Sequence, residues 1–386
     1  MLRYVTAGES HGPALVAIVE GLPAGVEISK ESIDRELARR QLGFGRGGRM
    51  AIEKDVAQIL SGVRFGLSLG SPITLKIDNR DWANWTTTMS IEPTDVESGD
   101  ERVTQPRPGH ADLSGILKTG QSDIRNILER SSARETAARV AAGAIAKMFL
   151  REFDIEVISH VVSIGGVEAS INELPGPGDL STIDQSPARC FDVEAEAKMV
   201  SLIEDVKKSK DTIGGVFEVL VYGCPPGLGG YVSWEERLDA RLARALMGVQ
   251  AIKGVEIGEG FELAQKRGSQ AHDEIYFESE RGYYRKTNRA GGIEGGMTNG
   301  GVVVARAAMK PIPTLMQPLK TVDIVSKEAV DAVKERSDVC AVPAAAVIGE
   351  AVVALEIAKV LLQKFGGDAL LDTKAAHDHY MKRLRS

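Results

Sequence analysis

Two stretches of this chain are apolar on nearly every side of a helix, and they restrict its fold more than any other feature. The first runs from Ala133 to about Phe153, behind a Ser132–Glu135 pair spaced as a capping box. The second starts near Pro343, a favoured first-turn residue, and stops before Gly366-Gly367. A helix with no polar face has to be covered on every side. Strands are the available cover: Leu15–Val19, Ile73–Ile77, Ile155–Val162, Val216–Tyr222 and Val302–Ala308 are short, β-branched and bounded by Gly, Pro or Asn. They do not alternate with helices in βαβ fashion. The expected architecture is therefore α+β: a single-domain layered fold over residues 1–386, its central helices sandwiched between antiparallel β-sheets.

Other segments hang on this frame. Ser29 is expected to cap a helix reaching Leu42, with Ile33 and Leu37 on one face. Ser233 and Glu236 form a second capping box, followed by Leu238, Leu242, Leu246 and Val249 at helical spacing, with Gly254 ending the run. The Pro-, Gly- and Ser-rich segment Ile171–Arg189 reads as a surface excursion, and the polar stretch 367–386 as a peripheral tail. Aromatic residues are only 5% of the chain, so the core must be mostly aliphatic.

Composition excludes several classes of function. The net charge of −7 argues against a nucleic-acid partner, which usually demands a basic excess. Cys190, Cys224 and Cys340 are far apart and form no C-x-x-C pair, so they are expected to be reduced and buried. No metal site is expected, and His377-Asp378-His379 reads as surface. The N-terminus lacks a secretory pattern. The long apolar run from Ala341 to Leu362 carries Pro343, Gly349, Glu350, Glu356 and Lys359, which suits a core and not a membrane. A soluble cytoplasmic enzyme is expected.

Six segments carry candidate chemistry. Gly43-Phe44-Gly45-Arg46-Gly47-Gly48-Arg49 formally contains G-x-G-x-x-G, but a helix precedes it and the strand-like stretch Arg49–Glu53 follows, the reverse of a dinucleotide fold. What remains is a loop with Arg40, Arg46 and Arg49, suited to phosphate or carboxylate, or else a solvated basic loop. Ser10-His11-Gly12 and Arg107-Pro108-Gly109-His110 each place a histidine in a tight turn; either could be structural, but two together point to proton transfer near neutral pH. Arg130-Ser131-Ser132-Ala133-Arg134 puts two serines between arginines at a helix N-terminus, a geometry that binds anions unless Ser132 only caps. The glycine-dense loop Gly291–Gly301, with Gly295, permits close approach of a ligand to backbone, and Lys310 and Thr314 follow it; a purely structural turn is the alternative. Finally, Glu335-Arg336-Ser337-Asp338 sets carboxylates beside an arginine ahead of the second buried helix.

Taken together these segments closely resemble the chorismate synthase family. The matching stretches are AGESHGPAL, RRQLGFGRGGRM, PRPGHADL, LERSSARET, DTIGGV, GGIEGGMTNG, MKPIPTL and ERSD, in the family's order from residue 5 to about 350. The resemblance implies a homotetrameric enzyme that converts 5-enolpyruvylshikimate 3-phosphate to chorismate. The reaction is a 1,4-anti elimination of phosphate that needs reduced FMN without net redox change. It also implies roles. His11 would protonate the departing phosphate, His110 would protonate or hydrogen-bond the reduced flavin, and Asp338 would sit near the flavin and help remove the ring proton. Arg130, Ser131, Ser132, Gln250, Ala251, Gly295, Lys310, Pro311, Ile312, Pro313, Thr314 and Arg336 would bind FMN. Ser10, Arg40, Arg46, Arg49, Arg107 and Arg134 would hold the substrate. Arg40 and Arg46 are also associated with NADP in members that reduce their own flavin; the sequence leaves open whether this chain does so. Two other readings use the same loops: a flavin-free lyase or transferase of phosphate esters, and an anion- or RNA-binding module, which the acidic charge and low aromatic content disfavour.

Overall fold

The computed structural model describes residues 1–47, 54–93, 102–280, 282–333 and 338–385. Two antiparallel sheets enclose a layer of helices. The first sheet orders its strands as Arg3–Ala7, Ala14–Glu20, Ile73–Asp78 and Ala57–Ser61. The pairs Leu15↔Ile77, Ala17↔Leu75 and Val19↔Ile73 fall on one face of it, and all six side chains are buried. The second sheet runs Ile252–Ile257, Val303–Met309, Gly215–Tyr222, Glu156–Ile164 and Val167–Glu168. Its inward face includes Phe217, Val219 and Val221.

Between the sheets lie the helices Thr136–Arg151 and Val342–Phe365. Apart from Arg139 every residue from Thr136 to Leu150 is buried, as is every residue from Val342 to Leu355. The first helix packs on the four-stranded sheet, the second on the five-stranded one, and the two pack on each other. Glycine sets that approach. A β-carbon at Gly143 would sit 2.4 Å from Ala351 Cβ, and one at Gly349 would sit 2.5 Å from a ring carbon of Phe217. Gly143→Val is therefore expected to lower stability by roughly 2–3 kcal/mol, because overpacked cores displace their neighbours. Urea unfolding checks this, with Gly178→Ala, which meets nothing within 4 Å, as the silent control. An unchanged midpoint for Gly143→Val would refute the steric argument.

The α+β layered expectation holds, and so do the five strands. The strands Arg3–Ala7, Ala57–Ser61 and Ile252–Ile257 were not anticipated; they are short and only partly buried, so their periodicity is weak. Several boundaries differ. Ser29 does cap the helix Lys30–Gln41, its Oγ accepting from Ser32 N at 3.1 Å. The capping box at Ser132–Glu135 is only half made. Ser132 Oγ accepts from Arg134 N, but the Glu135 carboxylate turns to Thr6, Arg139 and Gln250, and a 3-10 turn intervenes before the helix begins at Thr136. The helix after Ser233 covers Leu238–Met247 and ends at Gly248; Gly254 lies inside a strand. In the segment 171–189, Ile183 and Arg189 are buried, so it is stitched to the body. The stretch after Gly367 forms the helix Leu370–Arg385. Its Thr373 is buried, and its His377 ring packs on Phe153 and Phe365, so His377 is not a surface side chain; His379 is exposed. The three cysteines are free and buried. No helix among the described residues is long and apolar enough to cross a membrane.

Candidate active site

The turn between the first two strands carries Ser10 and His11. Backbone ties it down: Ser10 N donates to Glu129 O at 3.0 Å and His11 N to Glu129 Oε2 at 2.8 Å. The imidazole Nδ1 lies 2.9 Å from Glu129 Oε1, and the ring stacks on Trp85 with centroids 3.9 Å apart. A carboxylate can only accept, so Nδ1 carries the hydrogen in this pair. Burial disfavours ionised Glu129, but the His11 hydrogen bonds and the nearby Arg125 outweigh it and hold the carboxyl below its ordinary range.

His110 repeats the arrangement. Its Nδ1 forms a short hydrogen bond to Asp112 Oδ1, and Arg107 grips the same aspartate through Nε at 2.8 Å and its own backbone N–H at 3.0 Å. Against the cost of burial, His110 and Arg107 push the Asp112 carboxyl far below the usual carboxylate range. Arg107 also donates to Thr314 Oγ1 at 3.2 Å, and Lys310 Nζ donates to Gly109 O. The histidine loop and the 310–314 segment thus form one unit.

Around these loops sit buried arginines. Arg40 is not on the loop but in the last turn of the Lys30–Gln41 helix, and it is only 4% exposed. It donates to Thr136 Oγ1 and Ala133 O, both at 3.0 Å, and faces Asp55 at 3.6 Å. Arg134 pairs with the same Asp55 at 2.6 Å and donates to Asn79 Oδ1 at 3.0 Å. Burial, with Arg46 and Arg134 adding to it against the opposing pull of Asp55 and Asp338, pushes the Arg40 guanidinium down to about 10. This is a site short of negative charge. Arg46 pairs with Asp338 at 2.7 Å, and Gly47 N donates to the other Asp338 oxygen at 2.6 Å.

The flavin candidates divide. Arg130 donates to Thr6 O at 2.8 Å and faces Glu135 at 3.6 Å, where Gln250 also converges, its Nε2 at 3.3 Å from the carboxylate. Ala251 adopts a left-handed backbone, φ 67°, and its carbonyl accepts from Lys310 N at 2.9 Å. Pro311, Ile312 and Pro313 lie on the segment this bond anchors, and Ile312 O accepts from Thr212 at 2.8 Å. Ser131 is the last residue of the helix Arg125–Ser131, its Oγ directed at Leu128 O. The two serines therefore bridge a helix end and a 3-10 turn, and do not both stand at a helix N-terminus. Ser132 Oγ lies 3.1 Å from Ser10 Oγ. Gly295 turns a hairpin bound to Gly229 and Leu238, remote in its contacts from both histidines. Arg49 and Arg336, and the strand-like stretch 49–53, lie outside the described residues.

The segment 129–136 is the hub: through Glu129, Ser132, Arg134, Glu135 and Thr136 it touches the His11 turn, the Arg40 cluster and Gln250. Ile213 N donates to Val339 O and Val339 N to Gly45 O, which ties Thr212 and the 310–314 segment to Asp338 and the Arg46 loop. Sequence reasoning gave no role to Glu129, Asp112, Asp55, Asn79 or Trp85. Only Asp112 had a local signal, two residues from His110. A cavity of about 430 Å³ lined by Lys266, His272, Asp273 and Glu294 lies elsewhere and involves none of the histidine or arginine candidates.

A buried polar atom that makes no hydrogen bond calls for an explanation, and a bound ligand is one. Arg40 Nη1, which has only its ion pair with Asp55 at 3.6 Å, and Gln250 Oε1 are two atoms that make no hydrogen bond. Arg40 Nη1 is a donor and Gln250 Oε1 an acceptor, so a phosphorylated ligand that also carries a donor, such as a flavin phosphate or a phosphorylated acid, fits the pair.

The comparisons with known proteins identify the family. The family profile described as Chorismate synthase matches residues 2–362. A chorismate synthase of Desulforudis audaxviator is 58% identical over 386 residues, covering 100% of this chain and 99% of the relative. One from Geobacter metallireducens is 57% identical over 394 residues, covering 100% of both chains. A crystal structure of chorismate synthase superposes with a TM-score of 0.79 at 44% identity, covering 100% of this chain and 98% of its own. On a match of this extent and relatives this similar over their full length, the chain belongs to the chorismate synthase family.

Proposed function

We propose that the chain is the lyase that converts 5-enolpyruvylshikimate 3-phosphate to chorismate with reduced FMN bound. The observation that carries this reading is two histidines, each held by its own carboxylate, tied through the 129–136 segment, Gln250–Ala251 and Lys310 to the arginine cluster at Arg40. In the reaction the carbon–oxygen bond to phosphate breaks, a ring C–H bond gives up its proton, and a new double bond forms. Glu129 holds Nδ1–H of His11, so proton delivery to the departing phosphate runs through Nε2, and the carboxylate compensates the imidazolium charge. Asp338, its oxygens gripped by Arg46 and Gly47 N–H, would take part in removing the ring proton. Arg40, Arg46, Arg107, Arg134 and Ser10 would hold the phosphate and carboxylates of the substrate, with Arg49 on the same loop.

Reduced FMN, when bound, supplies electron density to the ring as phosphate leaves. Arg130, Ser131, Ser132, Gln250, Ala251, Gly295, Lys310–Thr314 and Arg336 would hold it, with His110 donating a hydrogen bond or a proton to it. On this reading residues 1–386 act as one domain within a cytoplasmic homotetramer, which sedimentation equilibrium tests.

The decisive assay mixes purified protein, chemically reduced FMN and 5-enolpyruvylshikimate 3-phosphate without oxygen, and follows phosphate and chorismate together. Equal release of both, absent with oxidised FMN, is expected. Well-folded protein that releases neither would leave only an anion-binding scaffold. Oxidation of NADPH in the same vessel separates self-reduction of flavin from dependence on an outside reductant.

A further inference from the structure

Trp85 belongs to none of the segments that the sequence singled out, yet it is built into the His11 site from three directions. It follows the 3-10 turn Arg80–Asn84, and its N–H donates to Trp82 O at 2.8 Å. Its indole Nε1 donates to Asp81 Oδ2 at 2.9 Å, which fixes the ring within the turn. Asn79, at the head of that turn, donates to Gly12 O at 2.7 Å and Glu9 O at 3.1 Å, so the turn is pinned to the loop that carries His11. The indole and imidazole rings stack at 3.9 Å with 29° between their planes. Arg125 closes the set: its guanidinium carbon lies 5.0 Å from the indole centroid, and its Nη1 lies 3.4 Å from Glu129 Oε1. His11, Trp85, Arg125 and Glu129 thus form a closed circuit.

We propose that Trp85 is a positioning residue for proton delivery, acting through His11 and not on the substrate. Glu129 fixes one edge of the imidazole but leaves rotation about the Nδ1···Oε1 axis open. A ring stacked on the imidazole face blocks that rotation and so fixes the direction of Nε2. An aromatic face is suited to the task because it accepts a neutral ring by stacking and a charged one by cation–π attraction. The lock therefore survives the step in which the imidazolium gives its proton to a phosphate oxygen and becomes neutral. Arg125 holds the indole and the carboxylate at once, and keeps the two clamps in register.

The proposal rests on His11 as the proton donor, so its test separates the two ideas. Trp85→Leu is expected to lower kcat by roughly ten- to a hundredfold, the loss typical of a misaligned reacting group, with KM and the unfolding midpoint little changed. Trp85→Phe, which keeps a stacking face, should restore most of kcat. In a His11→Ala background Trp85→Leu should have no further effect. A Trp85→Leu enzyme with normal kcat, a Phe variant no better than Leu, or an undiminished loss in the His11→Ala background would each overturn the role. The contact itself has an independent readout. With Trp82→Phe and Trp234→Phe, Trp85 is the last tryptophan, and its emission should change on His11→Asn; unchanged emission would remove the contact on which the proposal stands. If His11→Ala alone leaves turnover intact, the donor assignment fails even where the emission result holds.

Discussion

His11→Ala is expected to lower kcat by roughly 10²–10⁴-fold, the range for removal of a general acid, while the unfolding midpoint stays close to that of the parent. The two halves of this expectation have different causes. His11 lies on a turn outside both sheets, and its backbone N–H, which survives the substitution, donates to Glu129 at 2.8 Å. The glutamate keeps Arg125 at 3.4 Å as well, so removing the imidazole does not strand a buried charge. Little folding energy is at risk. The chemical step, on the proposed reading, loses its proton donor outright. His110→Ala should follow the same pattern, since Asp112 retains the Nε and backbone N–H of Arg107. Single-turnover measurements with reduced FMN, alongside urea unfolding, check both. Turnover within a few-fold of the parent would end the assignment of that histidine to proton transfer. Collapse of the fold would show instead that the carboxylate contacts are structural.

Much of the candidate site was legible in the sequence, because its proposed chemistry sits in short contiguous motifs. Both histidines, Arg46, Arg107 and the 310–314 segment stand in stretches whose Gly and Pro content marks them, whereas Arg40 ends a helix and Arg134 sits in a 3-10 turn. What stayed hidden was pairing across the chain. Glu129 and His11 are 118 residues apart, Asp55 and Arg134 are 79 apart, and no local pattern announces either contact. Trp85 was invisible for the same reason. The layers were legible from the two circumferentially apolar helices, since burial on all sides leaves few architectures. The error at Ser131 has a definite cause: two adjacent serines before an apolar helix match the pattern of an N-terminus, and the preceding helix Arg125–Ser131 is too short and too mixed to show a period. The helix in the tail was not anticipated because its few buried positions, Leu370 and Thr373, are outnumbered by charges.

Glu350→Ala is expected to cost roughly 3–5 kcal/mol of stability, the penalty for breaking a buried ion pair from one side. Glu350 is the one acidic side chain in the buried stretch Val342–Leu355 of the second core helix, and it has no exposed surface. Its Oε1 accepts from Arg39 at 2.9 Å, Ser159 at 2.6 Å and Arg189 at 3.3 Å. Its Oε2 accepts from Arg39 at 2.7 Å and from Lys147 Nζ. Alanine would leave those cations buried with only Glu36 and Asp184 to balance them. Glu350→Gln keeps the shape and should lose less. The sign with pH follows from the carboxyl. Burial opposes its charge, but Arg39, Lys147 and Arg189 overcome this and hold it far below the ordinary glutamate range. Such a group adds stability above the unfolded-state value of about 4.3, and that stability drains away as acid protonates it in the folded state. The parent should therefore lose stability on acidification more steeply than Glu350→Gln. The substitution should also reach the active site. Arg39, held by Glu350, immediately precedes Arg40, and the two side chains leave the same helical turn for different partners, the ionic core and Asp55. Loosening Arg39 frees the end of the Lys30–Gln41 helix, so KM for the phosphorylated substrate should rise in Glu350→Gln even at temperatures where the protein stays folded. A stability loss below about 1 kcal/mol for Glu350→Ala would mean that the cations find water or the remaining carboxylates, and that the helices alone set the core.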